Sequence, residues 1–237
     1  MIIDGKKIAE EVVVELGESL VGRTLGVVMN EGDAATESFV KIKERIAQRL
    51  GVVLQRFSPA QLQEAIACDG ALVQLPIENA DALLAQIPAE KDVDNLPMAP
   101  VAAAVLEILK RSDVSLSGKK AVVVGEGRLV GKPTAIMLRE QGAEVHIVSL
   151  EQGSLEMLKD ADVVVSGAGS PGLIKPEMVK EGVILIDAGT SESAGKLVGD
   201  CDPRCADVAR IFTPVPGGVG PVAVAMLFKN LAILTKK

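Results

Sequence analysis

Lys43 lies in DAATESFVKIKERIAQRLG, a stretch whose apolar residues recur at helical spacing. Projected at about 100° per residue from Phe39, Ile42, Ile46 and Leu50 fall within about 60° and Ala47 within about 80°, with Lys43 inside that apolar stripe at about 40°. Lys41, Glu44, Arg45, Gln48 and Arg49 take the other side, as a solvated face does. Loss of hydration disfavours the ammonium form of a lysine, so a neutral amine able to accept a proton becomes accessible near neutral pH. The same pattern also suits snorkelling, with the stem packed and the ammonium in water.

Two further stretches carry polar groups where a ligand could meet them. In GALVQLPIEN the amide of Gln74 interrupts an apolar strand just before Pro76, and a buried amide needs a partner. In EKDVDNLP the carboxylates Asp92 and Asp94 flank Val93. Crevices outside strand carboxyl ends are where α/β sheets hold ligands. A turn glutamine and Asx-turn aspartates are the alternative reading of the same residues.

The third stretch is VVVGEGRLVGKP, in which a buried strand runs into Gly125, Gly127 and Gly131. A turn between a strand and a helix presents backbone N–H groups and the positive end of the helix dipole, which suits a pyrophosphate. The spacing is GxGxxxG rather than GxGxxG, and glycines also serve simply to fit a helix against a sheet. The next strand, EVHIVSLE, ends at Glu151, where dinucleotide folds hold the adenosine ribose. Glu126 and Glu151 near one ribose would repel a 2′-phosphate by a few kcal/mol at an effective dielectric of ~20, favouring NAD. Both glutamates are otherwise ordinary solvated surface.

The elements that would position these residues alternate between helical and strand patterns along the whole chain. Helices are expected near 5–20, from Asp33 to Leu50, from Ser58, around AAAVLEILKR, from Gly131, between EVHIVS and DVVVSGAG, at KPEMV and at the C-terminal end. Strands are expected at TLGVVMN, VVLQRF, GALVQLP, AVVVGEG, EVHIVS, DVVVSGAG, VILIDAG and IFTP. Such alternation implies an α/β fold with parallel sheets covered by helices, doubly wound in its second half. The small polar and basic stretch SLSGKK marks a lobe boundary.

Composition narrows the partners. A net charge of −7 supplies no basic stripe for a nucleic-acid backbone. Cys68, Cys201 and Cys205 are too few for a disulfide framework, and the lone His146 completes no metal-ligand set, so no metal is expected. The opening MIIDGKKIAEEVVVEL is too charged for a signal peptide and no apolar run approaches ~20 residues, so a cytoplasmic chain with no membrane partner is expected.

Several motifs now coincide: IIDGKKIAEEV at the start, SFVKIKERI against a YVxxKxK helix, LVQLP and KDVDN against VQLP and KDVDG, and GEGRLVGKP against GRSxxVGxP. The most specific are DVVVSGAGSPGLI, VILIDAG, and KLVGDCD followed by TPVPGGVGPVAVAM. Through them nearly the whole chain resembles the bifunctional methylenetetrahydrofolate dehydrogenase/methenyltetrahydrofolate cyclohydrolases of one-carbon metabolism.

The resemblance implies an N-terminal α/β folate-binding and catalytic lobe, residues 1–112 with 221–237, joined to a Rossmann-like nucleotide-binding lobe, residues 113–220, in a homodimer. It implies oxidation of 5,10-methylenetetrahydrofolate by a nicotinamide dinucleotide, NAD or NADP, and hydrolysis of the methenyl product to 10-formyltetrahydrofolate. Lys43 would be the catalytic lysine, Gln74 its hydrogen-bond partner, and Asp94 the carboxylate that holds the pterin. Phe39, Pro216, Gly217 and Gly218 would meet the substrate. Gly125, Glu126, Gly127, Val130, Gly131, Glu151, Gly167, Ala168, Gly169 and Thr213 would meet the cofactor.

The sequence departs from the family pattern in places. Phe39 stands for a tyrosine, Arg45 for the helix motif's second lysine, and Asn95 for a glycine; a PCTPxG segment is missing before Pro100, and the stretch from Lys43 to Gln74 is short. Glu126 replaces the arginine of GRS, Gly127 its serine, and Glu151 a polar or basic residue, which reverses the charge that would receive a 2′-phosphate. Loss of the tyrosine hydroxyl and the shortened loops leave two alternatives, a monofunctional dehydrogenase or cyclohydrolase and a non-catalytic folate- or nucleotide-binding protein.

Overall fold

A computed structural model describes residues 1–237 apart from 31, 33, 95–98, 151–152, 194 and 237, with the main chain alone at 34 and 35. The described residues divide into two compact units, residues 10–100 with 224–237, and residues 1–9 with 101–223.

The first of these holds a three-stranded sheet. Helix α1 (Gly5–Leu16) precedes β1 (Thr24–Val28), α2 (Ala34–Arg49), β2 (Val53–Phe57), α3 (Leu62–Ile66), β3 (Gly70–Val73) and α4 (Ala80–Leu84). All pairings are parallel in the order β2-β1-β3, with Val28 opposite both Phe57 and Val73. β1 and β3 are apolar and almost wholly buried, whereas β2 is an edge strand with three of its five residues exposed. The expectation that strands are covered on both faces therefore holds for the inner strands and not for this edge. α1 ends at Leu16 rather than near residue 20, because Gly17 takes the left-handed position that closes a helix (φ +52°) and its N–H returns to Val14 O.

The second unit begins with residues 1–9, whose Ile2 bridges Phe212 in parallel and whose Ile3 N–H donates to Phe212 O at 2.9 Å. It continues with α5 (Pro100–Arg111), β4 (Lys120–Val124), α6 (Gly131–Glu140), β5 (Glu144–Val148), β6 (Val163–Ser166), β7 (Ile184–Asp187), β8 (Ser191–Ser193), β9 (Lys196–Val198), α7 (Cys205–Val208), β10 (Ile211–Phe212) and the start of α8 (Val219–Leu234), which from residue 224 is counted with the first unit. The main sheet is parallel in the order β10-β7-β6-β4-β5. The chain leaves β4 toward β5 and then crosses back to β6 on the other side of β4. That reversal is the topological switch point at which doubly wound sheets hold nucleotides.

Several elements differ from the sequence reading. The antiparallel β8–β9 hairpin and the short α7 and α4 are additional, and residues 155–160 and 176–178 form 3₁₀ turns where short helices were expected. The three residues of the second turn are too few for an α-helical ladder but suffice for the i→i+3 bond of a 3₁₀ turn. Among the described residues no helix is long and apolar enough to cross a membrane.

Candidate functional site

In the unit of residues 10–100 and 224–237, the buried stripe of α2 consists of Thr36, Val40, Ala47 and Leu50, none more than 2% exposed, with half-buried Lys43 in its middle. This corrects the projection centred on Phe39: the stripe lies about 60° round the helix from it. Phe39 and Ile42, 41% and 40% exposed, flank the core instead of forming it. Lys43 is thus more central to the buried face than the apolar pattern alone indicated.

The lysine does not snorkel away from its neighbours. Its Nζ donates to Gln74 Oε1 at 2.7 Å, and Gln74 Nε2 donates to Leu75 O at 2.9 Å, which fixes the amide with its oxygen toward the lysine. Gln74 sits where β3 ends, its backbone N–H still paired to Val28 O at 2.8 Å. Burial pushes Lys43 below the usual lysine range, and the Asp94 carboxylate partly opposes this. Asp94 is placed by buried Val93, whose carbonyl accepts from Asn230 Nδ2 at 2.8 Å, and by its own N–H donating to Asp92 Oδ1 at 2.9 Å. Asp92 therefore does serve an Asx turn, and that turn presents Asp94. Lysine, amide and carboxylate are brought together at the carboxyl end of the sheet, an arrangement able to hold an amine near its neutral form and to pass protons.

In the other unit, the glycine turn has the geometry of a ligand cradle. Gly125 has φ +94°, and a side chain there would meet Gly167 O at 2.8 Å. A Cβ on Gly131 would strike the Gly125 carbonyl, so these two glycines allow the turn, α6 and the β6 exit to pack. Gly127, by contrast, faces open space, which leaves room for a ligand to approach the backbone. Val130 is half-buried and packs where a Gly167 side chain would be. Glu126 is exposed, one residue beyond Gly125, whose N–H donates to Val148 O at the end of β5. Glu151, expected as its companion, lies outside the described residues.

Beside this turn is a buried carboxylate network that motif reading did not single out as functional. Asp200 accepts from Ser166 Oγ (2.7 Å), Ala168 N (2.7 Å), Gly169 N (3.3 Å) and Ser170 N (2.7 Å). Asp187, at the end of β7, accepts from Gly189, Asp200 and Cys201 N–H groups at 3.0, 3.1 and 2.8 Å. Burial pushes Asp187 up to about 6, against the downward pull of the Cys201 and Asp200 N–H groups. A usable signal was present in VILID and KLVGD, apolar runs that each end in a carboxylate.

Thr213, expected to meet the cofactor, is fully buried, and its hydroxyl accepts from Asp187 N at 2.6 Å and donates to Asp187 O at 3.3 Å. Its main-chain N–H donates to Leu185 O at 3.2 Å, so neither the hydroxyl nor the N–H is left for a ligand. Pro214 to Gly218 form a tight turn closed by Gly218 N–H to Pro214 O at 2.7 Å, with Pro216 exposed and Gly217 O accepting from Gly5 N at 2.9 Å. A cavity of about 350 Å³ in this unit brings Pro214 and Val215 together with Gly172, Asp187 and Phe212.

Residues 99–237 match the family profile described as tetrahydrofolate dehydrogenase/cyclohydrolase, NAD(P)-binding domain. The chain is also 37% identical over 270 residues to the bifunctional protein FolD of Halothermothrix orenii, covering 97% of this chain and 95% of the relative. The chain belongs to the bifunctional tetrahydrofolate dehydrogenase/cyclohydrolase family. Among solved members, the Campylobacter jejuni FolD methylenetetrahydrofolate dehydrogenase/cyclohydrolase superposes with a TM-score of 0.90 at 29% identity, covering 100% of this chain and 98% of that one. The Trypanosoma brucei dehydrogenase-cyclohydrolase, solved with NADP and an inhibitor, superposes at 0.87 with 31% identity over 99% and 96% of the two chains. The Rossmann-like parallel architecture is common to this family, and the glycine turn, the β6 exit loop and the Asp187–Asp200 network all fall inside its NAD(P)-binding domain.

Proposed function

We propose that this chain oxidises 5,10-methylenetetrahydrofolate to the 5,10-methenyl form and hydrolyses that product to 10-formyltetrahydrofolate, with NAD as its preferred cofactor. The observation that carries the reading is the half-buried Lys43 bonded at 2.7 Å to Gln74 and facing Asp94. Family membership supplies the reaction class, and these residues supply a means of performing it.

The dinucleotide would lie over the turn from Gly125 to Gly131, where Gly127 leaves space and exposed Lys132 offers positive charge for the pyrophosphate. Bound there, it supplies the hydride acceptor for the one-carbon bridge of the folate. Asp94 holds the pterin, and Phe39, without a hydroxyl, contributes ring packing alone. As water attacks the methenyl carbon, the neutral amine of Lys43 takes the water's proton, while Gln74 Oε1 fixes the amine by accepting one of its N–H bonds. Pro216, Gly217 and Gly218 form the rigid backbone surface offered to the substrate. The family resemblance supports a homodimer working in the cytoplasm.

Replacing the amide by a carboxylate tests the proton role. A negative charge beside Lys43 favours its ammonium form and raises its pKa, so at any given pH less neutral amine is present. The rising limb of the hydrolysis pH profile in Gln74→Glu is therefore expected about one unit or more higher than in the wild type. A limb that does not move would show that Lys43 is not the titrating group. The reading as a whole is tested by supplying methenyltetrahydrofolate and following its conversion to the 10-formyl product; no enhancement over the spontaneous reaction would exclude the cyclohydrolase.

A further inference from the structure

Two loops flank the switch point of the five-stranded sheet, the glycine turn after β4 and residues 167–170 after β6. They touch closely, since a side chain on Gly125 would meet Gly167 O at 2.8 Å and Ala168 Cα at 3.1 Å. A ligand seated on the glycine turn therefore meets the second loop, and the conformation of that loop shapes its site. This loop has no regular secondary structure of its own to fix it. Its backbone N–H groups at Ala168, Gly169 and Ser170 all turn inward to one carboxylate, that of Asp200, 30 to 32 residues later in the chain.

We infer that Asp200 is the positioning residue for the dinucleotide crevice: its buried carboxylate, on a backbone anchored by Asp187, sets the 168–170 loop against the glycine turn. The inference rests on the reading that this crevice takes a dinucleotide. Four donors converge on Asp200, three on Oδ2 and one on Oδ1, so both carboxylate oxygens are engaged. The Asp200 N–H donates in turn to Asp187 Oδ1 at 3.1 Å, which ties the network to the end of β7. The arrangement also divides labour between the loops. The 168–170 N–H groups are committed to a carboxylate and do not offer a phosphate site, so the pyrophosphate belongs to the Gly125–Gly131 side.

Asp200→Asn tests the inference, because an amide keeps the size but has one acceptor oxygen, and its NH₂ opposes a backbone donor. Dehydrogenase kcat/KM for the dinucleotide is expected to fall about ten-fold or more, carried mainly by KM, with the KM for folate unchanged. Hydrolysis of methenyltetrahydrofolate needs no dinucleotide and is expected to stay within about two-fold. Equal loss of both activities would show a merely structural role, and an unchanged dinucleotide KM would overturn the inference outright. Ser166→Ala removes a single donor; should Asp200→Asn not fold, this variant carries the test, with a rise in dinucleotide KM of about two- to three-fold expected and no rise overturning it. Wild-type protein that neither binds nor reduces NAD or NADP would instead overturn the dinucleotide reading on which the inference rests.

Discussion

Lys43→Met is expected to abolish methenyltetrahydrofolate hydrolysis, lowering kcat by about 10²–10⁴-fold, the range that a positioned general base supplies. Methionine keeps an unbranched side chain of similar length in the stripe between Val40 and Ala47, so the helix keeps its packing. The partner amide is half-buried and retains its bond to Leu75 O, so loss of the Nζ donor leaves Gln74 Oε1 short of a partner rather than collapsing the site. Hydrolysis rates and thermal melts of the two proteins separate the possibilities. A variant that melts like the wild type and hydrolyses at the wild-type rate would remove Lys43 from its proposed role.

Glu126→Arg is expected to shift the ratio of kcat/KM for NADP over NAD upward by about 10- to 100-fold, or 1–3 kcal/mol of differential binding. The residue is exposed at the exit of β4, beside the end of β5, where a dinucleotide fold places the adenosine ribose. A carboxylate there accepts from ribose hydroxyls and repels a 2′-phosphate, whereas a guanidinium can hold the phosphate in a bidentate pair. Exposure limits the size of the effect, since solvent screens charges in this position. Equal ratios in the two proteins would reduce Glu126 to surface charge with no part in cofactor choice.

What was legible in the sequence was local. The strand-turn-helix pattern of VVVGEGRLVGKP placed the glycine turn between β4 and α6 from adjacent residues, and the placement of Lys43 followed from helical periodicity even though the stripe was centred about 60° off. The error has a physical source: Phe39 and Ile42 are apolar yet exposed, and Thr36 is polar yet buried, so residue type misplaced the centre while the lysine stayed inside it. The pairing of Lys43 with Gln74 spans 31 residues and came through the family resemblance rather than from spacing.

The Asp200 network was not legible as a site because its donors come from β6 and the loop after it, and only the sheet topology brings them to the carboxylate. Thr213 shows the converse. A hydroxyl next to PVPGG invites a ligand role, but strand pairing turns it inward onto Asp187. The β8–β9 hairpin was missed because SES and KLV are three-residue strands with little apolar alternation, too short to give a period.

A dehydrogenase with Glu126 at its cofactor turn is expected to use NAD in preference to NADP. The most direct measurement is the oxidation of 5,10-methylenetetrahydrofolate by the purified chain with NAD and with NADP side by side, following reduced nicotinamide and folate product together. Reduced nicotinamide is expected with both cofactors, with a higher kcat/KM for NAD, and 10-formyltetrahydrofolate is expected to accumulate as the oxidation proceeds. An equal or higher kcat/KM with NADP would contradict the cofactor preference, and protein that binds the folate but reduces neither cofactor would contradict the dehydrogenase itself.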